Sequence, residues 1–90
     1  MAQVRFTRHL QRFFPELREG PVEGRTVAQA LDALDALHPG LGGYLREDDG
    51  SLRKHVNVFV DGELVRDRVG LSDVIGPGSE LFVVQALSGG

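Results

Sequence analysis

A chain of 90 residues, 41% of them hydrophobic and none of them cysteine, has room for one core. It excludes a disulfide framework, a thiolate zinc site, an iron–sulfur cluster and a cysteine nucleophile. Thirteen acidic residues against ten basic ones, a formal charge of −3, lack the basic excess that phosphate backbones demand. No nucleic-acid partner is therefore expected. The opening residues lack a signal peptide's apolar core, and no apolar run is long enough to span a bilayer, so no membrane partner is expected and the expected compartment is the cytoplasm.

Gln3 to Thr7 alternates, with Val4 and Phe6 on one face, and predicts an opening strand. The stretch RHLQRFFPELREG, punctuated by Pro15 and Gly20, reads as an irregular loop whose Leu10, Phe13, Phe14 and Leu17 fold back on the core. A short strand is expected around Pro21 to Arg25. In TVAQALDALDALHPG, Val27, Ala30, Leu31, Leu34 and Leu37 recur at helical spacing, with Gln29, Asp32 and Asp35 opposite. Thr26 followed by Gln29 fits a capping box, and Pro39 and Gly40 end the helix.

GLGGYLREDDGSLRK reads as a connector with little regularity. HVNVFVDG is a strand that ends in an Asp-Gly turn, ELVRD a short returning strand, and LSDVI one helical turn. The last strand, ELFVVQA, is apolar on both faces: Leu81 and Val83 on one, Phe82 and Val84 on the other. A single helix can cover one of those faces. The other needs a different cover, either the Leu10–Leu17 segment, a second copy of the chain, or a partner.

Candidate chemistry within the domain is thin. His9, His38 and His55 fall in a loop, at a helix end and at a strand start, without metal-ligand spacing. Asp48-Asp49-Gly50 lacks the remaining positions of a calcium loop and reads as a solvated turn. The glycines near Pro39 have neither the Lys-Ser/Thr nor the preceding strand of a phosphate loop. No catalytic residue and no metal ligand is expected. QALSGG stands apart, because Ser88, Gly89 and Gly90 form a bare tether bearing one carboxylate. Lacking Cβ atoms, its glycines can thread a narrow channel. The bland alternative is a frayed end.

The segments HVNVFVDGELVRD and GLSDVIGPGSELFVVQALSGG resemble the MoaD/ThiS sulfur-carrier family of ubiquitin-like proteins. The likeness extends to the opening VRF and the amphipathic helix. It implies an α+β, β-grasp fold over residues 1–90, with a mixed sheet of four to five strands and one main helix on one face. It also implies that a ubiquitin-activating-type adenylating enzyme spends ATP to activate the Gly90 carboxylate, which then becomes a thiocarboxylate. The sulfur passes to an acceptor resembling the molybdopterin synthase large subunit or cysteine synthase. On this likeness the protein is a co-substrate, or the small subunit of a molybdopterin-synthase-like complex, and binds no cofactor itself. Phe59, Phe82, Val84 and Arg5 form the expected partner-binding face. The long segment after the opening strand favours a molybdopterin-type or cysteine-biosynthesis-type relative over a minimal thiamin carrier. Two alternatives share the same residues: a ubiquitin-like modifier conjugated through Gly90, and a β-grasp interaction module with an inert tail.

Overall fold

In a computed structural model, which describes residues 1–85, the chain opens with strand β1, Ala2–Phe6. Ala2, Val4 and Phe6 are buried and Gln3 and Arg5 exposed, as the alternation demands. The following segment is a short helix rather than a loop. α1 covers Arg8–Phe13 and drives Leu10 into the core, and the chain then turns back so that Leu17 is also fully buried. Gln11 Nε2 donates to Leu17 O at 3.1 Å and closes this turn. Phe14 packs partly on the core, but Phe13 remains 55% exposed.

Strand β2, Gly20–Val22, is shorter and begins earlier than the expected Pro21–Arg25. The chain leaves it for the helix through Gly24, whose φ of 136° is open to glycine. Helix α2, Val27–Leu37, buries Val27, Ala30, Leu31 and Leu34. Leu37 departs from that stripe: it is 70% exposed, beyond the sheet's reach at the helix end. Thr26 Oγ1 accepts from Gln29 N at 3.2 Å, and Gln29 Oε1 accepts in return from Arg25 N at 2.9 Å. The reciprocal arm of the capping box thus reaches one residue further back than usual.

The connector contains a second unexpected helix, α3, Leu41–Leu45, entered through Gly40 in the left-handed region and burying Leu41 and Leu45. Strand β3, Val56–Val60, joins strand β4, Glu63–Leu64, through Asp61 and Gly62. Both turn residues have positive φ, 51° and 86°, the signature of a two-residue primed turn. LSDVI makes no helical turn. Leu71 sits at φ 52° with its side chain fully buried, and the loop's carbonyls serve α2 instead. Val27 N donates to Asp73 O at 3.1 Å and Ala28 N to Leu71 O at 2.9 Å, satisfying donors that a helix start leaves unpaired.

Strand β5, Glu80–Gln85, completes a five-stranded mixed sheet in the order β2-β1-β5-β3-β4. β1 and β5 are parallel neighbours, and the other pairs are antiparallel. α1, α2 and α3 supply buried leucines to one core with Val4, Val58, Leu81 and Val83 of the sheet. The opposite face carries no helix among the described residues. This is the β-grasp, ubiquitin-like arrangement. No described helix is long and apolar enough to cross a membrane.

Candidate functional site

The uncovered sheet face is built by register. Arg5 stands opposite Phe82 on the parallel strand, Phe82 opposite Phe59, and Phe59 opposite Leu64. One row across four strands therefore reads Leu64, Phe59, Phe82, Arg5. The Phe59 and Phe82 ring centroids lie 6.5 Å apart at an interplanar angle of 39°. The Arg5 guanidinium carbon sits 5.3 Å from the Phe82 centroid, in cation–π range. Arg5 also approaches Glu19, Nε to Oε2 3.8 Å, with both side chains more than half exposed, so that pair contributes little to stability. Arg5, Phe59, Gly62, Glu80, Leu81 and Phe82 line a shallow depression of about 300 Å³.

Val84 lies in the next row, opposite Asn57. Phe59, Phe82 and Val84 are half-buried, whereas Leu81 and Val83, between them in sequence, are fully buried on the core side. The structure thus brings Arg5, Phe59, Phe82 and Val84 together on one face, as the alternation of the strands requires. Two residues that sequence reasoning missed join them. Leu64, 54% exposed, extends the apolar row to the sheet edge. Arg68 reaches in from the loop after β4, donating through Nη1 to Asn57 Oδ1 at 2.6 Å and through Nη2 to Arg53 O at 2.8 Å. The alternation of β4 carried a signal for Leu64; no local pattern marked Arg68.

Ser88, Gly89 and Gly90 lie outside the described residues. The last described position, Gln85, turns its side chain to the helical layer, where Nε2 donates to Tyr44 Oη at 2.9 Å. Tyr44 in turn packs against Phe13 and Phe14, with centroids 5.3 and 5.6 Å away. The root of the tail is therefore braced by α3 on one side and presents Val84 on the other.

The remaining candidates are scattered. His9 stacks edge-on with Phe13, His38 caps α2, and His55 precedes β3. Among the described residues no group of three or more His, Asp or Glu is placed to hold a metal. Asp49 accepts from Ser51 Oγ at 2.6 Å and Ser51 N at 2.9 Å. These bonds lower its pKa below the ordinary 3.8 and mark a local turn. A denser knot holds the loop between β4 and β5. Asp67 accepts from Ser72 Oγ and from the backbone N–H groups of Gly70, Ser72 and Val69, while Asp73 accepts from Arg66 N and Asp67 N. The Ser72 hydroxyl first, and then the backbone donors, pull the Asp67 pKa down to about 2.

The model of the ThiS family matches residues 5–90. Small archaeal modifier protein 1 of Haloferax volcanii is 40% identical over 65 residues, 72% of this chain and 70% of that protein. Its crystal structure superposes with a TM-score of 0.75 at 32% identity, covering 99% of this chain and 98% of that one. A chain of the Amycolatopsis orientalis BexX/CysO complex matches with a TM-score of 0.84 at 26% identity, each chain covered completely, at 100%. CysO of Mycobacterium tuberculosis, 24% identical with a TM-score of 0.82, shares the fold. With the parallel β1–β5 pair at the sheet centre and the helices on one face, the chain belongs to the ThiS family of ubiquitin-like β-grasp proteins.

Proposed function

We propose that the protein is a sulfur carrier that works through a thiocarboxylate on Gly90. The observation that carries this reading is the family match, which runs from Arg5 to Gly90. A carboxylate with a pKa near about 3.5 is ionised at neutral pH and resists nucleophiles. Attack by its oxygen on the α-phosphorus of ATP, with pyrophosphate leaving, gives an acyl-adenylate. A sulfide equivalent then adds to the acyl carbon and expels AMP, leaving the thiocarboxylate. ATP is consumed by a ubiquitin-activating-type enzyme, and the carrier supplies only the acyl group. The acceptor is an enzyme resembling the molybdopterin synthase large subunit or cysteine synthase.

The row Leu64, Phe59, Phe82 and Arg5, together with Val84, is the proposed docking face. Exposed apolar area concentrated on one side of a small domain suits partner binding, and here it adjoins the strand that leads into the tail.

The test is intact-mass measurement after incubation with the cognate adenylating enzyme, ATP and a sulfide donor. A species with one oxygen replaced by sulfur is expected, and deletion of Gly90 abolishes it. Its absence from the wild-type reaction overturns the reading. One observation favours a second reading, protein modification: the 40% identity to a protein named as a modifier. Gly90 found in isopeptide linkage to lysine would establish that activity, alone or beside sulfur transfer.

A further inference from the structure

We infer that the Gln85 end of β5 is bordered by an electropositive collar, and that this collar docks an acidic protein surface around the channel that receives the tail. The proposal rests on the reading that a partner enzyme takes the tail, and it adds the chemistry of that partner's rim.

Charge is distributed unevenly along the chain. The first eighteen residues hold four arginines, Arg5, Arg8, Arg12 and Arg18, against one glutamate, Glu16, a formal +3 in a chain of −3. The fold places part of this excess at the tail. β1 runs parallel to β5 with Phe6 opposite Val83, so Thr7 and the start of α1 at Arg8 follow at the end of the sheet where β5 finishes. β3 runs antiparallel with Val56 opposite Gln85, so Lys54 and His55 lie just beyond the same end. Arg68 is anchored there as well, through Asn57, which stands opposite Val84.

Arg8, Arg12, Lys54 and Arg68 form no ion pair among the described residues. Arg68 is held by two neutral acceptors, so its charge is fixed in place without being neutralised. At the other end of the sheet the sign reverses. Asp61, Glu63 and Glu80 cluster where β3 ends and β5 begins, with Asp61 Oδ1 accepting from Glu80 N at 2.9 Å. The sheet is therefore acidic at one end and basic where the tail departs.

An acidic protein rim fits this pattern better than a nucleic acid. The cations gather at one end of the sheet rather than tracking a groove, they border an apolar face, and the chain as a whole is negative. Exposed charges at an interface act mainly on encounter and orientation, and salt screens them beyond roughly 8 Å at physiological ionic strength.

Kinetics with the adenylating enzyme test the collar. Arg8→Glu and Lys54→Glu are each expected to raise KM several-fold and together by about tenfold, with kcat held within about twofold and a weaker salt dependence of KM than in wild type. Arg66→Glu, the same charge reversal at the acidic end, is expected to leave KM nearly unchanged. An unchanged KM in the double variant, or equal effects from Arg66→Glu, overturns the collar. Failure of the wild type to react at all counts against the sulfur-carrier reading, and the collar is then judged by amide chemical shifts on titration with a poly-L-glutamate peptide. Shifts centred on Arg8, Lys54, His55 and Arg68, lost in the double variant, sustain it. Shifts elsewhere, no shifts, or tighter binding of a single-stranded oligonucleotide overturn it.

Discussion

Gln85 and Tyr44, forty-one positions apart, are joined by a 2.9 Å hydrogen bond from Gln85 Nε2 to Tyr44 Oη. It is the one side-chain to side-chain hydrogen bond that β5 makes to the helical layer among the described residues, and it falls on the strand's last residue. Gln85 Oε1 is buried without a partner among those residues, so the amide depends on this one contact. Tyr44→Phe keeps the ring against Phe13 and Phe14 but removes the acceptor. A loss of about 1 kcal/mol is expected in urea unfolding, together with faster hydrogen exchange at the Gln85 amide. Unchanged exchange there would show that the strand end is secured by its ladder alone.

The two faces of β5 predict opposite mutational phenotypes. Phe82→Asp and Phe59→Asp sit on the uncovered face, and each should change stability by no more than about 1 kcal/mol, part of it from the lost Arg5–Phe82 contact. Both should weaken association with the adenylating enzyme. Val83→Asp and Leu31→Asp place a carboxylate where the native side chain is at most 1% exposed, and a loss above about 4 kcal/mol is expected. Circular dichroism melting with a binding titration separates the pairs. Unfolding of the Phe82 variant would undo the assignment of its face.

Asp67 gives a pH dependence of defined sign. Its folded pKa of about 2 lies below the ordinary 3.8 because Ser72 and the surrounding backbone donors favour the carboxylate. The stabilisation it brings is therefore fully present above pH 3.8 and is lost as the pH falls toward 2. Carboxyl-carbon NMR titration should find Asp67 deprotonating at about 2, below the ordinary 3.8. Asp67→Asn should flatten the stability profile in that window, and a titration midpoint near 3.8 would contradict the hydrogen-bonded knot.

Gly24 tests the entry to α2. A Cβ at this position would stand 2.8 Å from Ala30 N and 3.1 Å from the carbonyl carbon of Gln29, at a φ of 136°. Both obstacles are backbone atoms of the helix's first turn and cannot rotate away. Gly24→Ala should cost on the order of 1–3 kcal/mol, read as a lowered denaturation midpoint. Gly62→Ala, where a Cβ meets nothing within 4 Å, bears only the cost of its positive φ and should be milder.

The strands and α2 were legible because their patterns are set by a single large partner. Val4, Phe6, Val56, Val58, Leu81 and Val83 alternate because one side of each strand meets the core. The doubly apolar β5 has Leu81 and Val83 in the core and Phe82 and Val84 on the face that carries no helix among the described residues. α1 and α3 escaped notice because each is about one turn long. Only Leu10 of α1 is buried, and α3 spends two of its five residues on glycine, so neither shows a recurring stripe. LSDVI misled in the opposite way. Leu71 and Ile75 are both buried, at helical spacing, yet the intervening backbone is held open by the Asp67 and Asp73 side chains and by the needs of α2. Arg68 belongs to the site only because a long loop returns it to Asn57, a relationship that no local window contains.

The position of β5 also dictates the order in which the molecule can assemble during synthesis. The β1–β2 pair and the β3–β4 hairpin are made first, but they are not neighbours in the sheet; β5, the last of the described strands in chain order, is the wedge between them. Until it emerges, Phe6 and Val58 have no strand between them and each half-sheet shows an open edge. Closure of the core and completion of the strand that leads to the tail are consequently one event. A nascent chain arrested before Glu80 has neither, so a partner that bound this sheet face would meet it complete only once β5 is in place.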